Sequence, residues 1–386
     1  MLFLLAAKGM LRNLFRSVLT LLGVAIAILA FTFLRTTIEA WYAGVDAASQ
    51  DRLATRHKVS ITLPMPRAYF EKVKDRVTGI TAVTYANWVG AVDPKDERAF
   101  FANFAVDGET YFETYDEVVI PPGQLAEWRT DPTGCIVGEA LAGQKGWKVG
   151  DRITLRGTIY PGDLQLTVRG IYGTKRKTFD KSTLFFHWKY LNEIADASRK
   201  DQIGFLGIRV ADASQGPAIA RAVDELFANS DTETLTESER AFNLSFLSMF
   251  STVLKALDVV SVVILCIMGL ILANTIAMGV RERTHEYGVL RAIGFQPRHL
   301  ALLVGGEGLV MGIAGGVVGV AASLVVVNAF GKWLEDNFGQ FFPYYSMSTT
   351  SVFLGLGLAA IIGLVASLVP AWSAARLEVV QALRRL

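Results

Sequence analysis

Four long apolar runs, residues 18–34, 257–280, 301–327 and 352–369, constrain this chain more than any other feature. The second is apolar apart from Asp258 at its start and a few small polar residues, and as a helix it would be ~36 Å long, enough to cross a bilayer. The first is close to the minimum length for crossing. With 52% hydrophobic residues and a mean hydropathy of +0.36, the chain is too apolar for an ordinary soluble protein, yet its 19% charged content is too high for one lying wholly in lipid. The composition implies a hybrid: an α-helical membrane protein with four transmembrane helices, plus a large mixed α/β extracytoplasmic domain inserted between helices 1 and 2.

Charge sets the orientation. Residues 281–300, between the second and third runs, carry Arg281, Arg283, Arg291 and Arg298 against Glu282 and Glu286, and such an excess in a short loop marks a cytoplasmic face. Residues 1–17 hold Lys8, Arg12 and Arg16 without an acid, among Leu5, Leu11, Leu14 and Phe15, as expected of an interfacial helix. A cleaved signal peptide shows the same order of basic then apolar residues, but no clean small-x-small site precedes the polar change at Arg35. The loop 331–349 has Lys332 against Glu335 and Asp336, with Trp333, Phe341, Phe342, Tyr344 and Tyr345 suited to the outer interface. Both termini are then cytoplasmic. The expected order is 1–35 interfacial helix and first span, 36–244 external domain, 245–280 stalk and second span, 281–300 cytoplasmic loop, 301–327 third span, 328–350 outer loop, 351–370 fourth span ending at Pro370, and 371–386 cytoplasmic tail.

In the external region, a strand over 59–63, a helix over 67–77 and an extended stretch over 80–92 form a β-α-β unit. A strand over 205–210 and a helix over 217–227 repeat its strand-helix part, so the two units are expected to form one subdomain, with the chain between them inserted as another. The inserted part begins with a strand over 100–106 and a turn-rich stretch over 119–134. It continues with a helix leading into a hairpin of strands 152–160 and 164–172. Residues 237–255, with Phe242, Phe246, Met249, Phe250 and Leu254 and no Gly or Pro, predict a helix running unbroken into the second span.

The third run carries Gly308, Gly312, Gly315, Gly316 and Gly319, overlapping small-xxx-small repeats that let helices approach closely. Glu307, near the cytoplasmic end of that run, is expected to pair with an arginine or snorkel rather than to relay protons. In the charged loop, Tyr287, Leu290 and Ile293 recur at helical spacing while Glu282, Glu286 and Arg291 fall elsewhere. That pattern reads as a short amphipathic helix at the membrane surface, and a solvated connector whose arginines only set topology fits the composition equally.

The run Glu-Arg-Thr-His-Glu-Tyr-Gly-Val-Leu-Arg-Ala-Ile-Gly at 282–294 resembles the coupling segment of the MacB/FtsX/LolC-LolE superfamily of ABC transporter permeases. Residues 11–23 resemble the superfamily's uncleaved first helix, 137–172 its periplasmic core domain and 370–385 its Pro-Ala-x-x-Ala-Ala-Arg ending. The resemblance implies that the loop docks on an ATPase, with coupling roles for Arg281, Glu282, Arg283, Glu286, Tyr287, Gly288, Leu290, Arg291, Ala292 and Gly294. It also implies a dimer with a second permease copy or paralogue in the lipid of a bacterial inner membrane, and leaves room for a periplasmic or outer-membrane partner. The implied role is mechanotransmission, moving or extracting a lipoprotein, lipid, peptide or drug at the outer face. An FtsX-type scaffold regulating a cell-wall hydrolase is the alternative, although the size of the external region favours the transporter. A receptor without an ATPase remains open only if the loop binds nothing.

The chemistry missing from the sequence points the same way. No Gly-x-x-x-x-Gly-Lys-Ser/Thr loop is present, and the nearest run, 170–175, has the wrong spacing, so ATP and Mg belong to a separate ABC ATPase subunit and no cofactor is expected on this chain. His285-Glu286 lacks the second histidine of a zinc-protease helix, since position 289 is Val289. With His57, His187 and His299 scattered and no Gly-x-Ser-x-Gly elbow, neither a catalytic residue nor a metal site is expected. Cys135 and Cys266 belong to a domain and a span and are not expected to pair. A net charge of +2 argues against nucleic acid.

Overall fold

The computed structural model describes residues 14–46, 48–96, 101–175, 179–248, 250–338, 342 and 344–377. The expected interfacial helix falls mostly, and the C-terminal tail partly, outside the described residues, as do Met249 and Phe341. The chain divides into two compact units. One holds the described residues up to Glu39 with Ser251–Gly331 and those from Tyr345 on, and the other holds Ala40–Phe250 and Lys332–Tyr344.

The first unit holds most of four long helices, Leu14–Asp46, Ser251–Glu282, Pro297–Phe338 and Thr349–Ala375, each with a stretch long and apolar enough to cross a membrane, while the last turns of the first and third belong to the second unit. The third has 42 residues. At 1.5 Å per residue it is ~63 Å long, about twice the hydrocarbon thickness. The expected span 301–327 is only its middle, and Lys332, Trp333 and Glu335, read as outer loop, are helical. The fourth helix does not stop at Pro370, which is buried inside it. A proline there removes one backbone hydrogen bond, a loss that packed neighbouring helices make tolerable in a membrane span. The aromatic residues after the third helix do not all face an interface either. The Tyr345 hydroxyl lies 2.8 Å from that of Thr37, and within the other unit Phe342 packs edge-on to Trp41 at 5.1 Å. Ser348 caps the fourth helix by accepting the Ser351 N–H, and both hydroxyls donate to Glu39, at 2.7 and 2.9 Å.

The second unit contains β1 (Arg52–His57), β2 (Met65–Pro66), β3 (Ile80–Trp88), β4 (Asn103–Val106), β5 (Val118–Val119), β6 (Gly134–Gly138), β7 (Arg152–Gly157), β8 (Gly162–Thr174), β9 (Leu184–His187), β10 (Gln202–Ile203), β11 (Phe205–Val210) and β12 (Thr234–Ser238). Among the described residues, ten of these form one sheet ordered β12-β1-β11-β3-β4-β9-β6-β8-β5, with β7 paired to β8. The helix Ala68–Arg76 lies between β1 and β3, which flank β11, and Gly216–Phe227 lies between β11 and β12, which flank β1, so a split β-α-β occurs twice. The two halves are therefore one continuous sheet rather than two subdomains, because β4 of the inserted chain pairs with β3. Asn103 fastens that joint. Its fully buried amide accepts the Ala91 N–H at 2.8 Å and donates to the Ala91 carbonyl at 2.7 Å, replacing backbone pairing.

Three local expectations fail here. The first strand is Arg52–His57, not 59–63, where Val59 is exposed in a bend. Arg52 heads that strand, yet it is buried because two carboxylates receive it, a tertiary arrangement that hydrophobic alternation cannot register. The turn-rich stretch holds a helix, Pro122–Thr130, in which the proline stands in the first turn, where its missing N–H costs nothing. Residues 237–255 are not one helix: β12 reaches Ser238, a helix covers Glu239–Ser248, Phe250 sits in a turn, and the second long helix begins at Ser251.

Candidate functional site

The charged segment joins the second and third long helices through a short helix, Thr284–Ala292. Arg281 and Glu282 belong to the last turn of the second helix rather than to a loop. Tyr287 and Gly288 are buried and Leu290 is half-buried, packed on the apolar cluster that includes Val280, Leu300 and Val304. His285, Glu286, Val289 and Ala292 are exposed, and Arg291 is intermediate. The helix is amphipathic as the spacing predicts, except that Ile293 is 69% exposed because it lies beyond the last helical residue.

Both ends of this helix are fixed. At its C-terminus, Gly294 adopts φ +103°, its N–H donates to the Arg291 carbonyl at 3.1 Å, and the Phe295 N–H donates to the Leu290 carbonyl at 3.0 Å. These two bonds make a Schellman cap, which needs a residue that tolerates left-handed backbone. At the other end, Glu282 and Arg283 reach in different directions. Glu282 accepts two hydrogen bonds from Arg16 of the first helix, each 2.8 Å, and Arg283 pairs with Glu307 of the third at 3.3 Å. The second pair is the drier, with side chains 18% and 13% exposed against 32% and 48% for the first. Between the pairs, beside Thr275 and Gly279, lies a cavity of about 40 Å³. That space suits a water molecule, not a lipid or peptide.

The five glycines of the third helix divide between two neighbours. A Cβ on Gly308 or Gly312 would lie 2.4 Å from the Gly363 carbonyl oxygen or 2.3 Å from that of Ala359, and one on Gly316 would lie 2.5 Å from the Ala359 Cβ. These three face the fourth helix. Gly315 and Gly319 face the first, where a Cβ would lie 2.6 Å from the Val24 Cβ or 2.5 Å from the Ala25 carbonyl oxygen. The complementary residues on the fourth helix are Ala359, Gly363 and Ser367, at a four-residue spacing of small residues legible in the sequence, while Gly355 of the same spacing lies closest to Thr32 of the first helix. No local signal exists for Arg16 reaching Glu282, 266 positions away. Among the described residues, no three His, Cys, Asp or Glu side chains are placed to hold a metal ion.

The family model for the MacB-like periplasmic core domain matches residues 17–226, and that for the FtsX-like permease C-terminal matches residues 259–379. An ABC transporter permease of Methanocaldococcus jannaschii is 22% identical over 391 residues, covering 96% of this chain and 94% of its own. The macrolide export ATP-binding/permease protein MacB of Bdellovibrio bacteriovorus is 27% identical over 197 residues, 48% of this chain and 29% of its own. The probable syringafactin export protein SyfD of Pseudomonas syringae is 26% identical over 59% of this chain and 34% of its own, so the chain spans about a third of these two longer relatives. Among solved structures, the periplasmic region of MacB from Actinobacillus actinomycetemcomitans aligns with a TM-score of 0.37 and 9% identity, covering 51% of this chain and 92% of that one. One family model spans more than half of the chain and the other covers most of its last three long helices, so the chain belongs to the MacB/FtsX superfamily of ABC transporter permeases.

Proposed function

We propose that this permease receives the stroke of a separate ABC ATPase at the helix Thr284–Ala292 and turns it into movement or extraction of a substrate at the outer face of a bacterial inner membrane. The observation that carries this reading is the build of that helix. Tyr287 anchors one face in the bundle, Gly294 caps one end, Arg283 ties the other to Glu307, and the face bearing Glu286 and Val289 is left outward. A connector that only sets topology needs its arginines but not a buried anchor or a cap. The excess of arginine at Arg281, Arg283, Arg291 and Arg298 supports a cytoplasmic position for this end, and in this reading ATP and Mg are bound by the partner and the permease acts as a dimer with a second copy or a paralogue. Lipoproteins, lipids, peptides and drugs are the cargo classes this reading admits.

The test is pull-down of the ATPase together with its turnover on the permease in lipid. Glu286→Lys puts the opposite charge on the outward face and is expected to weaken docking by about 2–5 kcal/mol if the contact is desolvated. Gly288→Pro would break the helix. Normal binding and turnover in both variants would return the segment to a connector. A reporter active only outside the cytoplasm should work when fused at Asp163 and fail at Thr284, and activity at Thr284 would overturn the sidedness.

A further inference from the structure

A buried ionic cluster in the second unit has no part in the docking of an ATPase. Arg52 begins β1, six residues after the first long helix ends at Asp46, and its side chain is 2% exposed. Its Nε donates to Glu239 at 2.7 Å and a terminal nitrogen to the other oxygen of the same carboxylate at 3.3 Å. The remaining terminal nitrogen donates to Glu117 at 2.6 Å and to the Thr114 carbonyl at 3.4 Å, and the Tyr115 ring lies 4.7 Å from the guanidinium carbon. Glu239 is the first residue of the helix by which the chain leaves this unit, and it also accepts the Ser49 N–H at 3.3 Å. Arg209 makes a second stitch alongside, donating to Asp51 at 2.8 Å and Asp116 at 3.1 Å.

One guanidinium thus holds three segments distant in sequence: the chain's entry at 49–52, its exit at 239, and residues 114–117 of the inserted half. Glu117 immediately precedes β5, which pairs with β8, and β8 pairs with β6 and β7. Burying such charges is costly compared with apolar packing. The ionic arrangement supplies what apolar packing cannot, a directional restraint on all three segments at once.

We propose that Arg52 is a positioning residue, a clamp that makes the entry and exit of this unit move as one piece with its inserted half. Its use in transport, carrying a displacement of the exit helix Glu239–Ser248 to β5 and β8, rests on the function proposed above. The clamp itself does not.

Amide hydrogen exchange on the full chain in lipid nanodiscs, without ATPase, tests the clamp independently of transport. Arg52→Met should speed exchange at residues 243–247 and at 118–119 together, tenfold or more, while residues 135–137 and 166–172 keep wild-type rates. Faster exchange at one segment alone, or at neither, overturns the clamp. If Arg52→Met loses protection throughout, Glu117→Ala decides, because it touches the arginine only from the inserted half. Tenfold faster exchange at 243–247 in that variant supports the clamp, and wild-type rates there overturn it. Loss of protection throughout in both variants also overturns it, since the network would then be a requirement for folding rather than a coupling. If the clamp holds while ATPase binding at Thr284–Ala292 fails, the transport reading falls and the clamp stands.

Discussion

The two units are held together by opposite means. In the helix bundle the third helix meets its neighbours where side chains are missing: Gly308, Gly312 and Gly316 against the fourth helix, Gly315 and Gly319 against the first. In the sheet unit the interior is filled by the largest side chains, with Trp128, Tyr172, Phe186 and Phe227 almost wholly buried. The medium explains the contrast. Lipid is as apolar as leucine, so burying a large side chain between spans yields little, and helices gain by close backbone approach instead. In water, removing apolar area from solvent is the main driving force, and aromatic rings remove the most. The bundle accordingly leaves Leu270, Val369 and Ile26 exposed at 72%, 73% and 66%, a display that would be a liability on a soluble domain.

The sharpest way to break this comparison is Gly312→Leu. A Cβ alone would lie 2.3 Å from the Ala359 carbonyl, so the third and fourth helices must separate, and the detergent-solubilised protein should lose cooperative melting. Gly357→Leu, at an exposed position of the fourth helix where a Cβ meets nothing within 4 Å, should melt as wild type. Equal melting of the two variants would show that close approach is not what holds the bundle. Next in size, Phe186→Ala in β9 should cost the sheet unit about 3–5 kcal/mol in denaturant unfolding, with the bundle transition unmoved. A cost below about 1 kcal/mol would mean the aromatic core collapses around the gap.

The smaller effects concern charge. Glu307→Ala leaves Arg283 without its carboxylate in a partly buried place and should destabilise the bundle by about 2 kcal/mol. Glu282→Ala, which breaks the wetter pair with Arg16, should cost less, and a reversed order would contradict the burial argument. In the sheet unit, His187 stacks on Trp128 at 4.1 Å and lies 2.8 Å from its carbonyl oxygen, and burial lowers its pKa below the usual histidine value despite that contact. The unfolded chain then takes up the proton first. The stability of this unit should be full above about pH 6.5 and fall as pH drops through the folded value. His187→Phe should flatten that slope, and an unchanged slope would assign it to other groups.

Much of the fold was legible because its causes are local. The strand 205–210 coincides with β11, and the helices 67–77 and 217–227 differ from the observed ones by a residue at their ends, since alternation and 3.6-residue spacing follow from which face is buried. The first strand was displaced because Arg52 looks like a surface residue until Glu117 and Glu239 are brought to it from far along the chain. The candidate site divides in the same way. Tyr287 and Leu290 follow from short-range pattern, whereas the ties of Glu282 to Arg16 and of Arg283 to Glu307 depend on three helices meeting.

The sequence by itself determined that four segments are apolar enough to cross a membrane, that a mixed α/β region lies between the first and second, and that a charged segment with apolar residues at helical spacing joins the second and third. These depend on hydropathy and periodicity, which each segment carries alone. Only the tertiary structure decided that the five glycines serve two different helices, that the inserted half shares one sheet with the rest, and that Arg52 is an interior residue. Each of these is a matter of which distant segment arrives opposite. A glycine, an edge strand or an arginine is compatible with several partners until packing selects one.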